Sequence, residues 1–426
     1  MLIEFNFSNF KSFKEENTLD MSATRMSEHQ NHVVELGGDK LLSVAAIYGA
    51  NASGKSNVFQ AFDFMSGFVI QSFAFGGESD NKQVKKMPAK PFLFDVESKS
   101  APSTFEVLFI DSEDSREKTY QYGFSLQGTE VVEEWLYTKA KTARNNYKCV
   151  FYRKKGEELQ ADGLTAKNLE LLKIALEKEV LIVSLGAKLK ITKLKVVRDW
   201  FLKNDVIDFG DPGENFLRSH MLPDHFVDDK EVQKSVVEFI STFDSSIQDF
   251  HVEKNPGNDD EKSSYRIETL HKVTGQKELV SIPLGEESSG TLKMFSLYQS
   301  LHEALERGGL IFIDELNARL HPLLLRNLIL TFTNPEINAH HAQLIFTTHD
   351  IWQFSNDILR RDEIWITDKD PNQVSSLYSV AEYKDEDGNK TRKGEALAKR
   401  YLYGEFGGIP SLSSFTMLKG RDADGK

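Results

Sequence analysis

The chain has 426 residues, room for one large domain or two smaller ones, and its apolar and charged fractions are those of a folded globular protein rather than a disordered one. A formal net charge of -13 gives no support to nucleic-acid binding except through a local basic patch. The single cysteine, Cys149, rules out an intramolecular disulfide, and no Cys/His spacing matches a structural zinc site, so a reducing, cytoplasmic setting is expected.

The opening MLIEFNFSNFKSF has neither a basic leader nor a long apolar core. Residues 2–8 alternate as a strand, with Ile3, Phe5 and Phe7 on one face and Glu4 and Asn6 on the other. Residues 41–48, LLSVAAIY, form a continuous apolar run, the pattern of a strand covered on both faces. That run leads into GANASGKS and then a helical segment from Asn57 to about Phe73. The apolar stretch within and after this helix carries Asp63 and Gln71 and is too interrupted to span a bilayer, so no membrane association is expected.

Between 103 and 140, FEVLFI, TYQYGFSL and VVEEWLYTK are separated by polar turns, and YKCVFYRK follows, which predicts an antiparallel meander. Cys149 in the last of these reads as a small side chain beside a strand in preference to a nucleophile. From Thr165 to about Phe201, and again over 231–240, apolar residues recur at three- and four-residue steps, with loops at DFGDPGENF and NPGNDDEKSS. YRIETLHKV and ELVSIPL are expected strands, followed by a polar loop over 285–290, a helix from Thr291 to about Arg307, the strand LIFIDEL, a helix in HPLLLRNLILTF and the strand AQLIFTTHD. EIWITDK and SSLYSV predict a hairpin, and KGEALAKRYLYGEFGGIP a last helix and its exit. The expected organisation is a core half over 1–160, a helical insertion over 161–260, and a second core half over 261–426.

Gly49-Ala50-Asn51-Ala52-Ser53-Gly54-Lys55-Ser56 matches GxxxxGK[ST] in full, between a buried strand and a helix that begins near Asn57. The glycines let backbone N–H groups wrap a phosphate at a helix N-terminus; Lys55 would reach the β- and γ-phosphates and Ser56 would bind Mg²⁺. The strand Leu310–Ile313 ends in Asp314 and Glu315, one acid to hold Mg²⁺ and one to orient or deprotonate an attacking water. Thr347-Thr348-His349-Asp350 ends another apolar strand; His349 either contacts a γ-phosphate or belongs to a capping turn.

With these motifs in place, the chain resembles the ABC-type ATPases of the RecF, SMC and OLD group, and most of all small bacterial relatives described as AAA-family ATP-binding proteins, some of them anti-phage defence ATPases encoded beside a nuclease. The resemblance rests on FNFSNFKSFKEENTLDM, GANASGKSN, DELNARLHP at 314–322, QLIFTTHD and the tail segment RKGEALAKRYLYGEFGGIP. It implies an α/β, ABC-type P-loop NTPase fold with a mixed central sheet, an antiparallel β lobe and a helical insertion. It implies ATP and Mg²⁺ as cofactors, Asp314 as metal carboxylate, Glu315 as catalytic base and His349 as the switch residue. The loop Glu287–Thr291 takes the place of the ABC signature, with Ser288, Ser289 and Gly290 where a transporter would have LSGGQ, and Asn317–Leu320 would be the D-loop. Gln83, in a Lys-rich loop, has no clear strand before it and is not assigned as the Q-loop residue.

The function implied is ATP hydrolysis driving closure and opening of a homodimer, or a higher oligomer, that senses or regulates a separate effector, a TOPRIM-type nuclease, in anti-phage defence. The alternatives are a nucleic-acid repair ATPase, which would want a coiled coil or a basic groove, and a transporter subunit, which would want LSGGQ. The stretch after His349 is expected to complete the core without adding a TOPRIM domain, and Asp368 and Asp370, followed by Pro371 and Asn372, read as a hairpin turn and not a metal site. In the tail, Tyr401 and Phe406 either dock on the core or form a partner-binding face.

Overall fold

The computed structural model describes residues 1–76, 86–111, 117–143, 146–219, 221–254, 265–276, 278–384, 388, 391 and 396–410. Gln83 and the whole loop NPGNDDEKSS lie outside the described residues. In chain order the elements are β1 (Leu2–Ser8), β2 (Asn17–Asp20), β3 (Val33–Leu36), β4 (Asp39–Leu42), β5 (Val44–Gly49), α1 (Lys55–Gln71), β6 (Ser103–Ile110), β7 (Thr119–Gln127), β8 (Glu130–Lys139), β9 (Lys148–Lys154), α2 (Ala166–Ala175), α3 (Ile182–Lys188), α4 (Thr192–Lys203), β10 (Asp205–Asp208), α5 (Pro212–Ser219) and α6 (Lys230–Ser241). They continue with β11 (Ile247–Lys254), β12 (Tyr265–Lys272), β13 (Leu279–Pro283), α7 (Ser289–Arg307), β14 (Leu310–Asp314), α8 (Pro322–Thr333), β15 (Gln343–Thr347), β16 (Ile364–Lys369), β17 (Ser375–Ser379) and α9 (Leu397–Leu402).

The central sheet runs β10-β14-β15-β5-β16-β17. All pairs are parallel except β16 with β17. The continuous apolar runs follow from burial on both faces, because alternate residues feed separate cores. Ala45 and Ile47 of β5, Phe312 of β14 and Ile345 of β15 pack on one side; Ala46, Ile313 and Phe346 pack on the other. The first side is covered by α1, and α1 is covered in turn by the antiparallel sheet β2-β1-β6-β7-β8-β9. Phe62 of α1 shows the layering: its ring lies 5.3 Å from Phe5 in β1 and 5.7 Å from Phe312 in β14. The second side is covered by α7, α8 and the tail, where Leu297, Leu325 and Tyr401 join one cluster. A small sheet, β11-β12-β13, packs with α6 against Phe295 and Tyr298 of α7 and so sets where that helix begins.

Residues 161–260 are not the purely helical insertion expected from periodicity. β10 leaves the helices to pair with β14, with Asp208 opposite Asp314, and β11 pairs with β12. Four residues, DVID, are too few to show a period of two between helices, and their strand state comes from the edge that β14 offers. Among the described residues no helix is long and apolar enough to cross a membrane. Tyr401 and Phe406 are buried, with Tyr401 stacked 4.7 Å from Phe354, so this part of the tail docks on the core.

Candidate functional site

The loop joining β5 to α1 needs backbone conformations that side chains resist. Gly54 has φ +123°, and a Cβ there would lie 2.8 Å from Ser375 Oγ and 3.1 Å from Phe13. Ala52 is at φ +64°. Gly54 is the N-cap of the 17-residue α1 and offers no side-chain acceptor, so the first-turn N–H groups of Lys55 and Ser56 are left for a ligand, while Asn57 N donates to Gly54 O at 2.9 Å and closes the turn. Asn51 and Ala52 are exposed at the loop tip, and Ser53 is buried beneath it. The Lys55 ammonium donates to Gly49 O at 2.8 Å and Ala50 O at 3.0 Å. Burial pushes it down to about 8, against the opposing pull of Glu315 and Asp314. A buried cation resting on neutral carbonyls, beside an uncapped helix start and the Ser56 hydroxyl, fits a polyphosphate.

Asp314 ends β14 and is buried; its carboxylate accepts a hydrogen bond from the Thr347 hydroxyl on neighbouring β15. The same hydroxyl accepts from Glu315 N at 2.9 Å. Glu315 turns off the strand at φ +54°, and its Oε1 stands 3.6 Å from His349 Nε2. His349 is held below its usual range by burial and then by Lys55, with Glu315 opposing. His349 N donates to Asn317 Oδ1 at 3.2 Å, and Asp350 caps the short turn after it by accepting from Trp352 N at 2.9 Å. The capping turn is thus made by Asp350, while the His349 ring beside it faces Glu315. Lys55, Asp314, Glu315 and His349 form one electrostatic group. Ser56 and Asp314 suit Mg²⁺, which takes one or two protein ligands and completes its shell with phosphate and water.

Ser288, Ser289 and Gly290 stand elsewhere. Ser288 caps α7 by accepting from Thr291 N at 3.1 Å. The three line a cleft of about 730 Å³ with Asp244, Arg319, His321 and Leu324, and no P-loop residue shares that lining.

Several supporting residues lie outside the nucleotide-binding motifs. Thr367 Oγ1 lies 2.6 Å from Ser53 Oγ, and Ser375 Oγ donates to Ser53 O at 2.7 Å. Ser12 ties Asn57 to this cluster, accepting from its amide at 2.7 Å. From the tail, Gly408 at φ +63° packs so closely that a Cβ would lie 3.0 Å from Thr367 O and 3.5 Å from Gly49 Cα. Asp208, brought beside Asp314 by the β10–β14 pairing, is pushed up by burial and then by Asp314. Ser12 and Gly408 had a sequence signal, as parts of NFKSF and of the tail segment; the others depend on strand order. Cys149 lies on β9 and is partly exposed, and burial pushes its thiol up, which does not make a nucleophile.

The parallel α/β sheet, the glycine loop at its C-terminal edge and the adjacent acids define a P-loop nucleotide hydrolase. Residues 44–351 match the family described as "AAA domain, putative AbiEii toxin, Type IV TA system", and the chain belongs to that family. It is an ATP-binding, ATP-hydrolysing protein of a family tied to toxin–antitoxin and anti-phage defence systems. Among solved structures the chain is similar to the crystal structure of an SMC head bound to the C-winged helix domain of ScpA, at 13% identity and a TM-score of 0.42, covering 89% of this chain and 97% of that one. No curated protein matches the sequence.

Proposed function

We propose that the chain is an ABC-type head whose ATP cycle closes and opens a symmetric dimer, and that this cycle controls a separate effector, a TOPRIM-type nuclease, in anti-phage defence. The observation that carries this reading is the separation of two half-sites. Lys55, Ser56, Asp314, Glu315 and His349 converge at one sheet edge. The capped loop Ser288–Gly290 faces its own cleft. A nucleotide on the first face of one copy meets the second face of another in a twofold pair. In this scheme residues 1–160 and 261–426 are the two core halves, joined by β10 at the sheet edge, and the helices within 161–260 and the tail carry effector contacts.

Lys55 and the N–H groups of Gly54 to Ser56 bind the phosphates, with Asn51, Ala52, Ser53 and Asn57 shaping the loop around them. Ser56 and Asp314 hold Mg²⁺, which when bound neutralises charge on the transferring phosphoryl group. Glu315 orients the water and takes its proton, and His349, held neutral, reports on the γ-phosphate. The Glu315→Gln chain with ATP should form a tight dimer by light scattering, with turnover reduced about 100- to 10,000-fold, and Ser288→Ala with Ser289→Ala should loosen that dimer. Lys55→Ala should abolish ATP binding. A hydrolysis-dead, ATP-bound chain that stayed monomeric would sink the two-headed site.

A further inference from the structure

Lys293 takes no part in the chemistry above, yet it is one of the most unusual side chains in the molecule. It lies near the start of α7 and is 7% exposed. Its ammonium donates to the carbonyl oxygens of Leu316 at 2.7 Å, Ala318 at 2.8 Å and Glu315 at 3.3 Å. The Phe209 ring centroid is 3.8 Å away. Burying a cation without a carboxylate partner is costly, and it is tolerated when the donors are matched by acceptors in fixed positions. Here all three acceptors belong to one loop. Burial, then the charge of Arg319, pushes this lysine down to about 7, with Glu315 opposing.

That loop is itself strained. Glu315 and Arg319 hold φ of +54° and +63°, conformations uncommon for residues with side chains. Its own turn bonds are Ala318 N to Glu315 O at 3.0 Å and Leu320 N to Asn317 O at 3.1 Å, and Leu316 N reaches across to Thr347 O of β15 at 3.2 Å. One turn earlier on α7, a Cβ at Gly290 would lie 3.1 Å from Arg319 O, so the helix grips the loop at two points.

We propose that Lys293 is a positioning residue: it holds Glu315 and the turn after it in the geometry needed for turnover, and it makes that geometry depend on the Ser288–Gly290 loop at the start of the same helix. The inference rests on Glu315 being the base. A shift of the Ser288–Gly290 loop is carried along a rigid helix to the Glu315 backbone, so engagement of that loop by a second copy and placement of the base become one event.

Lys293→Met keeps the length and apolar stem and removes the three donors. In the full-length chain, ATP affinity and KM should stay within about twofold of wild type while kcat falls about 10- to 100-fold. In the Glu315→Gln background the same substitution should cause no further loss. Thermal melting monitors the fold; should the Met variant fail to fold, Lys293→Gln, with a shorter neutral donor, should show the same split. An unchanged kcat, or equal losses of ATP affinity and turnover, overturns the inference. Wild-type turnover by Glu315→Gln would instead overturn the base assignment, which keeps the two failures distinct.

Discussion

Thr347 offers the sharpest test of how the site is held, because one hydroxyl serves both acids. Thr347→Val keeps the shape of a fully buried side chain and removes only that hydroxyl. Two hydrogen bonds go with it: one donated to the Asp314 carboxylate and one accepted from Glu315 N at 2.9 Å. A bond to a charged group contributes about 1.5–3 kcal/mol and a neutral one about 0.5–1.5 kcal/mol. Asp314 is 3% exposed, so water cannot replace the donor, and the expected loss of stability is about 2–4 kcal/mol. Glu315 also loses an anchor for its left-handed backbone, and a displacement of that kind lowers kcat about 10- to 100-fold. Urea unfolding followed by circular dichroism reads the first effect, and phosphate release at saturating ATP reads the second. Wild-type stability refutes the hydrogen-bond argument. A destabilised variant with wild-type kcat refutes the claim that Thr347 places Glu315.

Glu134 makes stability depend on pH. This buried carboxyl group accepts from Ile182 N at 2.7 Å and Val183 N at 3.1 Å, pinning the start of α3 to β8, and burial pushes it up to about 7. The folded chain then keeps a proton that the unfolded chain gives up near pH 4.5, so this contribution is full below that pH and is lost as pH rises through about 7. Glu134→Gln should flatten the unfolding free energy across that window, where a tenfold change in proton affinity corresponds to about 1.4 kcal/mol; an unchanged slope would assign it to other groups. The Asp368 and Asp370 pair sits at the β16–β17 hairpin, where Asp370 accepts from Val374 N at 2.8 Å. The purified chain should therefore leave single-stranded, duplex and RNA substrates intact with Mg²⁺ or Mn²⁺, and nicking that persisted in Lys55→Ala but vanished in Asp368→Ala with Asp370→Ala would make that turn an active site.

Local chemistry made part of this protein readable from its residues. Gly49 to Ser56 is legible because a loop that wraps phosphate needs glycine at fixed steps and a lysine and hydroxyl at a helix start. The apolar runs before Gly49, Asp314 and His349 are legible because strands buried on both faces admit a polar residue only where it is hydrogen-bonded, as Thr347 is. The hairpin at 370–374 and the docked Tyr401 could be read, or narrowed to two readings, for similar reasons. Strand order is another matter. That β14, β15, β5 and β16 lie side by side, so that Thr347 reaches Asp314 and Thr367 reaches Ser53, is set by which buried faces fit together across hundreds of residues. The four-residue β10 became a strand only because β14 presented an open edge, which carried Asp208 to the side of Asp314. Lys293 belongs to no motif and lies in a segment read only as a helix. Its burial over the Glu315 loop arises from the packing of α7 against β14, a long-range choice that no window of local sequence encodes.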